Sequence, residues 1–271
     1  MRIAVAQVTT GAEVQQNLDL IAEWTADAAA QGAELVVFPE AAQRAFGNPL
    51  KEIAEPLDGW FAQQVEKIAE EHGVLVVVGM FTPGQPSEEG AERVTNTLLI
   101  SDGEQLKVSY DKIHLYDAFG FQESKTVQPG AEPVTVKVSG ATVGFATCYD
   151  VRFPHLFQHY ARRGASATIL PASWQSGPGK VAQWKTLVTA RALDSTQFII
   201  ACGQALPNGT DPEKPASAPT GVGHSLVVSP TGSVIAEAGE GPELLIVDID
   251  PADVQEARKR IPVLENARDL R

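Results

Sequence analysis

Residues 142–171 read TVGFATCYDVRFPHLFQHYARRGASATILP. The stretch opens with a β-rich run, Thr142 to Thr147, and passes Cys148 in a short turn. Pro154 then signals a helix that runs to Arg163, because proline suits the first helical position. Ala167 to Leu170 is a strand, closed by Pro171. Strand, turn, helix and strand in this order make a layered α/β unit.

The same alternation extends outward in both directions. Upstream, Arg2 to Val8 is a first strand, so the start MRIAVAQV reads as structure rather than as a secretory leader. Glu13 to Gln31 carries Val14, Leu18 and Ile21 at helical spacing, and Leu35 to Phe38 is a buried strand closed by Pro39. Asp58 to His72 is a helix with Trp60, Phe61, Val65 and Ile68 expected on its packed face, and Gly73 ends it. Val74 to Phe81 is apolar throughout, as befits a strand covered on both faces. Hairpins are expected at 96–110, around a tight Asp102-Gly103 turn, and at 134–147, around Ser139-Gly140.

Downstream, Lys180 to Thr196 is a helix with Val181, Trp184, Val188 and Leu193 as packing residues. Gln197 to Cys202 is a buried strand, and 224–237 is a third hairpin. Leu244 to Asp248 is a strand, followed by a helix that Asp250 caps and Pro251 opens. Between them, the Pro-, Gly- and Ser-rich stretch from Leu206 to Gly223 reads as a long surface loop.

The two halves follow one plan. LVVFPE (35–40) matches TILPAS (168–173) in pattern, VLVVVGMF (74–81) matches FIIACGQ (198–204), and TLLISDGEQL (97–106) matches SLVVSPTGSVI (225–235). This duplication predicts two stacked sheets with pairs of helices outside, in one layered unit.

Composition narrows the function. The 271 residues hold 34 acidic and 21 basic side chains, a formal charge of −13. Nucleic acid and anionic membranes need basic patches, so neither is expected as a partner. No stretch approaches the ~20 apolar residues of a membrane span. Two cysteines, Cys148 and Cys202, exclude a disulfide framework and fit a reducing cytoplasm.

Three residues just past β-rich segments attract attention. Cys148 lies at a strand end before a helix, where a nucleophile is exposed and the N–H groups of Tyr149 and Asp150 are placed to form an oxyanion hole. A lone cysteine is also commonly a packed core residue, the reading that suits Cys202 inside FIIACG. Glu40 closes LVVFPE, and ligand sites gather at such strand ends, where desolvation makes a carboxylate a better base. It reads equally as an exposed loop glutamate. Lys112, in VSYDKIHLYD, suits oxyanion stabilisation or activation of a thiol, or is an ordinary solvated lysine.

Taken together, these residues resemble the nitrilase superfamily of carbon–nitrogen hydrolases. VVFPE carries the family's glutamate, YDKIHLYD its lysine and CYDVRFP its cysteine. FQESKTVQPG, LPASW, ARALDSTQFIIACGQ, GHSLVVSPTG and IPVLENARDL are similar in turn and span nearly the whole chain in order. The resemblance implies a four-layer αββα sandwich with pseudo-two-fold internal symmetry, one domain over residues 1–271. It implies a Glu40–Lys112–Cys148 triad and a fourth residue, Glu123 in FQES, that positions substrate and lysine. It also implies a homodimer or higher even oligomer, with the C-terminal segment 261–271 at the interface.

Within that family the chain resembles the short amidase branch, which includes ω-amidase and deaminated-glutathione amidase. The implied activity is hydrolysis of a small linear amide through a cysteine thioester, without cofactor or metal. Nitrile hydrolysis, N-carbamoyl hydrolysis and a catalytically silent binding subunit are the alternatives. Expected substrate-binding residues are Tyr149, Ser173, Trp174, Phe46 and Arg44, the last as a partner for a substrate carboxylate. Other chemistries fit less well. His155 and His159 stand at i, i+4 but lack the glutamate of H-E-x-x-H, and GPGK (177–180) is not a phosphate-binding loop. His224 opens a strand and reads as a structural hydrogen-bonder.

Overall fold

The computed structural model describes residues 1–118 and 120–268. The first half runs β1 (Arg2–Gln7), α1 (Val14–Ala30), β2 (Leu35–Val37), α2 (Trp60–His72), β3 (Leu75–Pro83), β4 (Val94–Ser101) and β5 (Lys107–Asp111). A crossing segment follows, with β6 (Asp117–Ala118), β7 (Phe121–Gln122) and β8 (Val127–Gln128). The second half runs β9 (Thr135–Val138), β10 (Ala141–Phe145), α3 (Pro154–Arg162), β11 (Ala165–Ala172), α4 (Lys180–Ser195), β12 (Phe198–Gly203), β13 (Leu226–Val228) and β14 (Val234–Glu237). β15 (Glu243–Asp248), α5 (Pro251–Arg260) and α6 (Val263–Asn266) complete the described chain.

Two large sheets result, ordered β15-β1-β2-β3-β4-β5, with β8 on β4, and β14-β13-β12-β11-β10-β9. Their pairings correspond. β1, β2 and β3 are mutually parallel and β4 and β5 return antiparallel. β10, β11 and β12 are likewise parallel, with β13 and β14 antiparallel. The paired segments of the sequence duplication, β2 with β11 and β3 with β12, hold matching places.

The period-2 alternation of side chains builds the layers. Ile3 and Val5 of β1 point into a core shared with Val143 and Phe145 of β10 and with Ile169 and Ile200. Ala4 and Ala6 point the other way, onto Ile21 of α1 and Phe61 and Val65 of α2. On the second sheet's outer face, Leu170 and Ile199 meet Tyr160 of α3 and Trp184 and Val188 of α4. Helices, sheet, sheet and helices therefore stack in four layers.

Gly73 ends α2 at φ 62°, as a helix-closing glycine does. Three local expectations need correction. Trp60 is 47% exposed and Leu193 is 45% exposed. Trp60 lies about 140° around the helix from Val65, the middle of the buried face formed by Phe61, Ala62, Val65, Ile68 and Ala69. The 102–106 connection is wider than a two-residue turn. Asp102 Oδ1 accepts from the N–H groups of Glu104, Gln105 and Leu106 at 2.9, 3.0 and 2.9 Å, which organises a longer loop. The expectation for segment 261–271 falls partly outside the described residues, since 269–271 are not among them. No helix among the described residues is long and apolar enough to cross a membrane.

Candidate active site

The ends of β2, β5 and β10 and the segment after β7 converge on one cleft. Glu40 stands three residues past β2, held where Phe38 N–H bonds Val77 O at 2.8 Å. β3 comes close beneath it: a Cβ on Gly79 would sit 2.7 Å from Ala41 N, so only glycine fits. Lys112 follows β5, and its N–H bonds Asn96 O on β4 at 2.9 Å. Cys148 sits at φ 46°, in the left-handed region that costs a non-glycine residue ~1–3 kcal/mol. Ala41, beside Glu40, is held there too, at φ 58°. Such outliers gather where the surrounding structure fixes a functional group.

The side chains then meet. Lys112 Nζ donates to Glu40 Oε1 at 2.9 Å and to Glu123 Oε1 and Oε2 at 3.0 and 2.9 Å. Asn96 Nδ2 donates to Glu40 Oε1 at 2.8 Å and lies 3.4 Å from Glu123 Oε1. Ser173 N–H binds Glu40 Oε2 at 2.8 Å, and Tyr116 N–H binds Glu123 Oε2 at 2.6 Å. Both carboxylates are thus fully hydrogen-bonded although buried, as a buried charge must be. The Cys148 thiol points to Ser173 O at 3.8 Å and is 8% exposed.

The electrostatics follow from this arrangement. Two carboxylates surround one ammonium. Burial opposes the Lys112 charge, but the Glu123 and Glu40 carboxylates outweigh it and hold the ammonium well above its ordinary pKa. Burial, and then the Glu40 carboxylate, push the Cys148 thiol well above 9.0, against the pull of Lys112. Burial thus favours the neutral thiol over a preformed thiolate at this position.

Above this quartet lies a narrow cleft walled by Phe46, Phe121, Tyr149, Trp174, Arg152 and Lys180. The structure brings together Glu40, Lys112, Glu123, Cys148, Tyr149, Ser173, Trp174 and Phe46 in its lining. Ser173 faces it through its backbone, because its Oγ is turned to Pro219 O at 2.5 Å. Arg44 is not there. Its guanidinium binds Ala12 O at 2.8 Å and Pro49 O at 2.9 Å, which fastens a loop instead. Nor is Asp150 N–H available as an oxyanion donor, since it bonds Thr147 O at 3.0 Å.

Three residues escaped sequence reasoning. Asn96 is a buried amide in the polar Thr95-Asn96-Thr97 start of β4, where nothing in the sequence pattern sets it apart. Arg152 lies 5.3 Å over the Trp174 ring and 5.9 Å over Tyr149, with Nη2 on Gln183 Oε1 at 3.0 Å. Among the described residues no carboxylate pairs with it. Lys180 lies 5.9 Å over the Tyr116 ring, and burial and the Arg152 charge lower its pKa. The loop at 206–223, expected only as surface, folds onto the site: Gln175 Nε2 binds Ala216 O at 2.9 Å and Pro219 lines the cleft.

Comparison with known proteins gives the family. Residues 2–259 match the carbon-nitrogen hydrolase family. The chain is 51% identical over 275 residues to a hydrolase of Mycobacterium tuberculosis, covering all of this chain and 96% of that protein. It is 33% identical over 272 residues to the deaminated glutathione amidase of Escherichia coli O157:H7, with 99% and 97% covered. Among solved structures, it superposes with TM-score 0.77 on an amidase variant from Nesterenkonia sp. AN1, at 29% identity over 99% of this chain and 94% of that one. In that structure the acetamide moiety of fluoroacetamide is added covalently at the active-site cysteine. From its layers, its site and these likenesses, the chain belongs to the carbon–nitrogen hydrolase family, within the nitrilase superfamily.

Proposed function

We propose that the protein hydrolyses a small linear amide to a carboxylic acid and ammonia through a thioester on Cys148. The observation that carries this reading is the quartet itself: one thiol, one ammonium and two carboxylates share a buried floor, with Lys112 bonded to both Glu40 and Glu123. An amide is a poor electrophile with a poor leaving group, and covalent catalysis divides its hydrolysis into two easier steps.

As the thiol attacks, Glu40 takes its proton and the sulfur adds to the carbonyl carbon. The oxyanion forms beside Lys112, whose two bonds to Glu123 leave one donor to turn, and beside the Tyr149 N–H. The tetrahedral species collapses, the C–N bond breaks, and the proton on Glu40 leaves with ammonia. Water then adds to the thioester with Glu40 again as base, the acid departs, and the thiol is restored. Glu123 and Asn96 keep Lys112 and Glu40 in place throughout.

For substrate, the mouth of the cleft favours an anionic amide. Arg152 and Lys180 both line it on an acidic protein, and the Arg152 charge disfavours that of Lys180. A carboxylate between them relieves that repulsion. The deaminated glutathione amidase relative makes acidic amides the first compounds to assay. We further propose that the protein acts as a homodimer in a reducing cytoplasm. Two free, buried cysteines and the exposed apolar Leu193 and Ile261 support this.

The test is ammonia release from a panel of acidic and neutral amides, N-carbamoyl compounds and nitriles, with wild type and Cys148→Ala. Release from amides by wild type alone supports the reading. Release confined to nitriles or carbamoyl compounds reassigns the substrate. No release from any compound, with no Cys148 adduct by intact mass, refutes catalysis.

A further inference from the structure

Asp150 and His114 occupy matching positions, each two residues beyond a member of the quartet, Cys148 and Lys112. Asp150 is fully buried, and its carboxylate accepts four hydrogen bonds. Oδ2 takes Tyr110 OH at 2.6 Å and Thr147 N–H at 2.8 Å. Oδ1 takes His114 N–H at 2.9 Å and His114 Nδ1 at 2.6 Å. A carboxylate only accepts, so Nδ1 carries the proton. Burial, and then the Asp150 charge, raise the Tyr110 hydroxyl well above its ordinary pKa and keep it a donor.

The donors come from both sides of the site. Tyr110 and His114 flank Lys112 on the first half of the chain, and Thr147 precedes Cys148 on the second. The His114 ring also stacks on Phe153 with centroids 3.7 Å apart and planes within 8°, so its direction is fixed. Within the quartet, Lys112 reaches the Cys148 thiol by way of Glu40 and Ser173, and the Asp150 bonds add a link at the backbone of Thr147. The strained φ of Cys148 requires a support of this kind.

We infer that His114 and Asp150 are positioning residues: a clamp that sets the distance between the Lys112 ammonium and the Cys148 sulfur and acts on the chemical step rather than on substrate binding. The inference rests on the proposed amide hydrolysis, and its test has one readout that does not.

The test compares His114→Leu with His114→Asn, whose amide nitrogen takes the place of Nδ1. A misplacement near 1 Å costs about 100-fold in rate, so His114→Leu is expected to lower kcat by about 10- to 100-fold with little change in KM, and His114→Asn to recover most of the loss. Alkylation of Cys148 by iodoacetamide, followed by intact mass, needs no turnover. It is expected to slow in His114→Leu and recover in His114→Asn. The clamp is overturned if kcat and alkylation in His114→Leu stay at the wild-type rates. It is also overturned if the two variants are equally impaired, since that marks a packing role. A wild type that alkylates normally but hydrolyses no amide sinks the proposed function and leaves the clamp to the alkylation rates.

Discussion

The two halves of the chain share a strand order but divide the chemistry between them. The first half supplies charge past two of its strands, Glu40 past β2 and Lys112 past β5, and a neutral amide, Asn96, within β4. The second half ends its strands with a thiol and with backbone: Cys148 past β10, and past β11 the Ser173 N–H, which binds Glu40. Ser173 stands where the sequence duplication places Glu40's counterpart. A repeated scaffold thus brings two equivalent strand ends face to face, and one receives what the other presents. Glu40, Lys112 and Glu123 come from the first half and the crossing segment, so the quartet is complete only when the second half adds Cys148.

That division can be broken from either side. The largest effect is expected from the sulfur side: Cys148→Ala should lower ammonia release by at least about 10⁴-fold with an unchanged circular dichroism spectrum, because covalent catalysis is lost outright. On the charged side, Glu40→Gln keeps the shape and most hydrogen bonds but removes the base. It should cost about 10²–10⁴-fold in kcat, with the acid of a thioester substrate released less severely slowed. Lys112→Met should cost stability as well as rate. It strands two buried carboxylates, and breaking a buried ion pair costs about 3–5 kcal/mol, read by urea denaturation.

Two milder changes sharpen the comparison. Arg152→Gln, on the second half, should raise KM for acidic amides about tenfold and leave neutral amides nearly unaffected, since a charged hydrogen bond is worth ~1.5–3 kcal/mol. Equal effects on both classes would remove Arg152 from substrate recognition. The smallest effect concerns pH. Cys148, Tyr110 and Lys112 hold their protons more tightly folded than unfolded. Their contribution is complete below the ordinary values of 9.0, 10.0 and 10.5, and is lost as the unfolded chain begins to release protons there. Tm should hold level up to about pH 9 and fall above it in calorimetry; a Tm that rises across that range contradicts the burial described.

Much of this was legible in the residues. Apolar runs of strand length and a closing glycine mark the layers, because burial on both faces leaves a continuous pattern. Glu40, Lys112 and Cys148 were visible as reactive residues just past β-rich segments. Arg152 and Lys180 were not, because a long side chain reaches several ångströms from its backbone in a direction that only packing decides. Arg44 misled for the same reason: its sequence neighbours are near the cleft, but two loop carbonyls satisfy its guanidinium elsewhere. Trp60 and Leu193 show that hydrophobicity names candidates for the interior without saying which side of a helix they occupy.

The protonated state of Cys148 bears on how the protein endures between turnovers. Peroxides attack the anionic form of sulfur, and damage scales with how much of that form is present and how open it is. Burial disfavours the ionised form of this sulfur, and little of its surface is open. An idle molecule keeps its reactive atom chemically quiet and should survive oxidising episodes that silence enzymes with a permanently ionised sulfur.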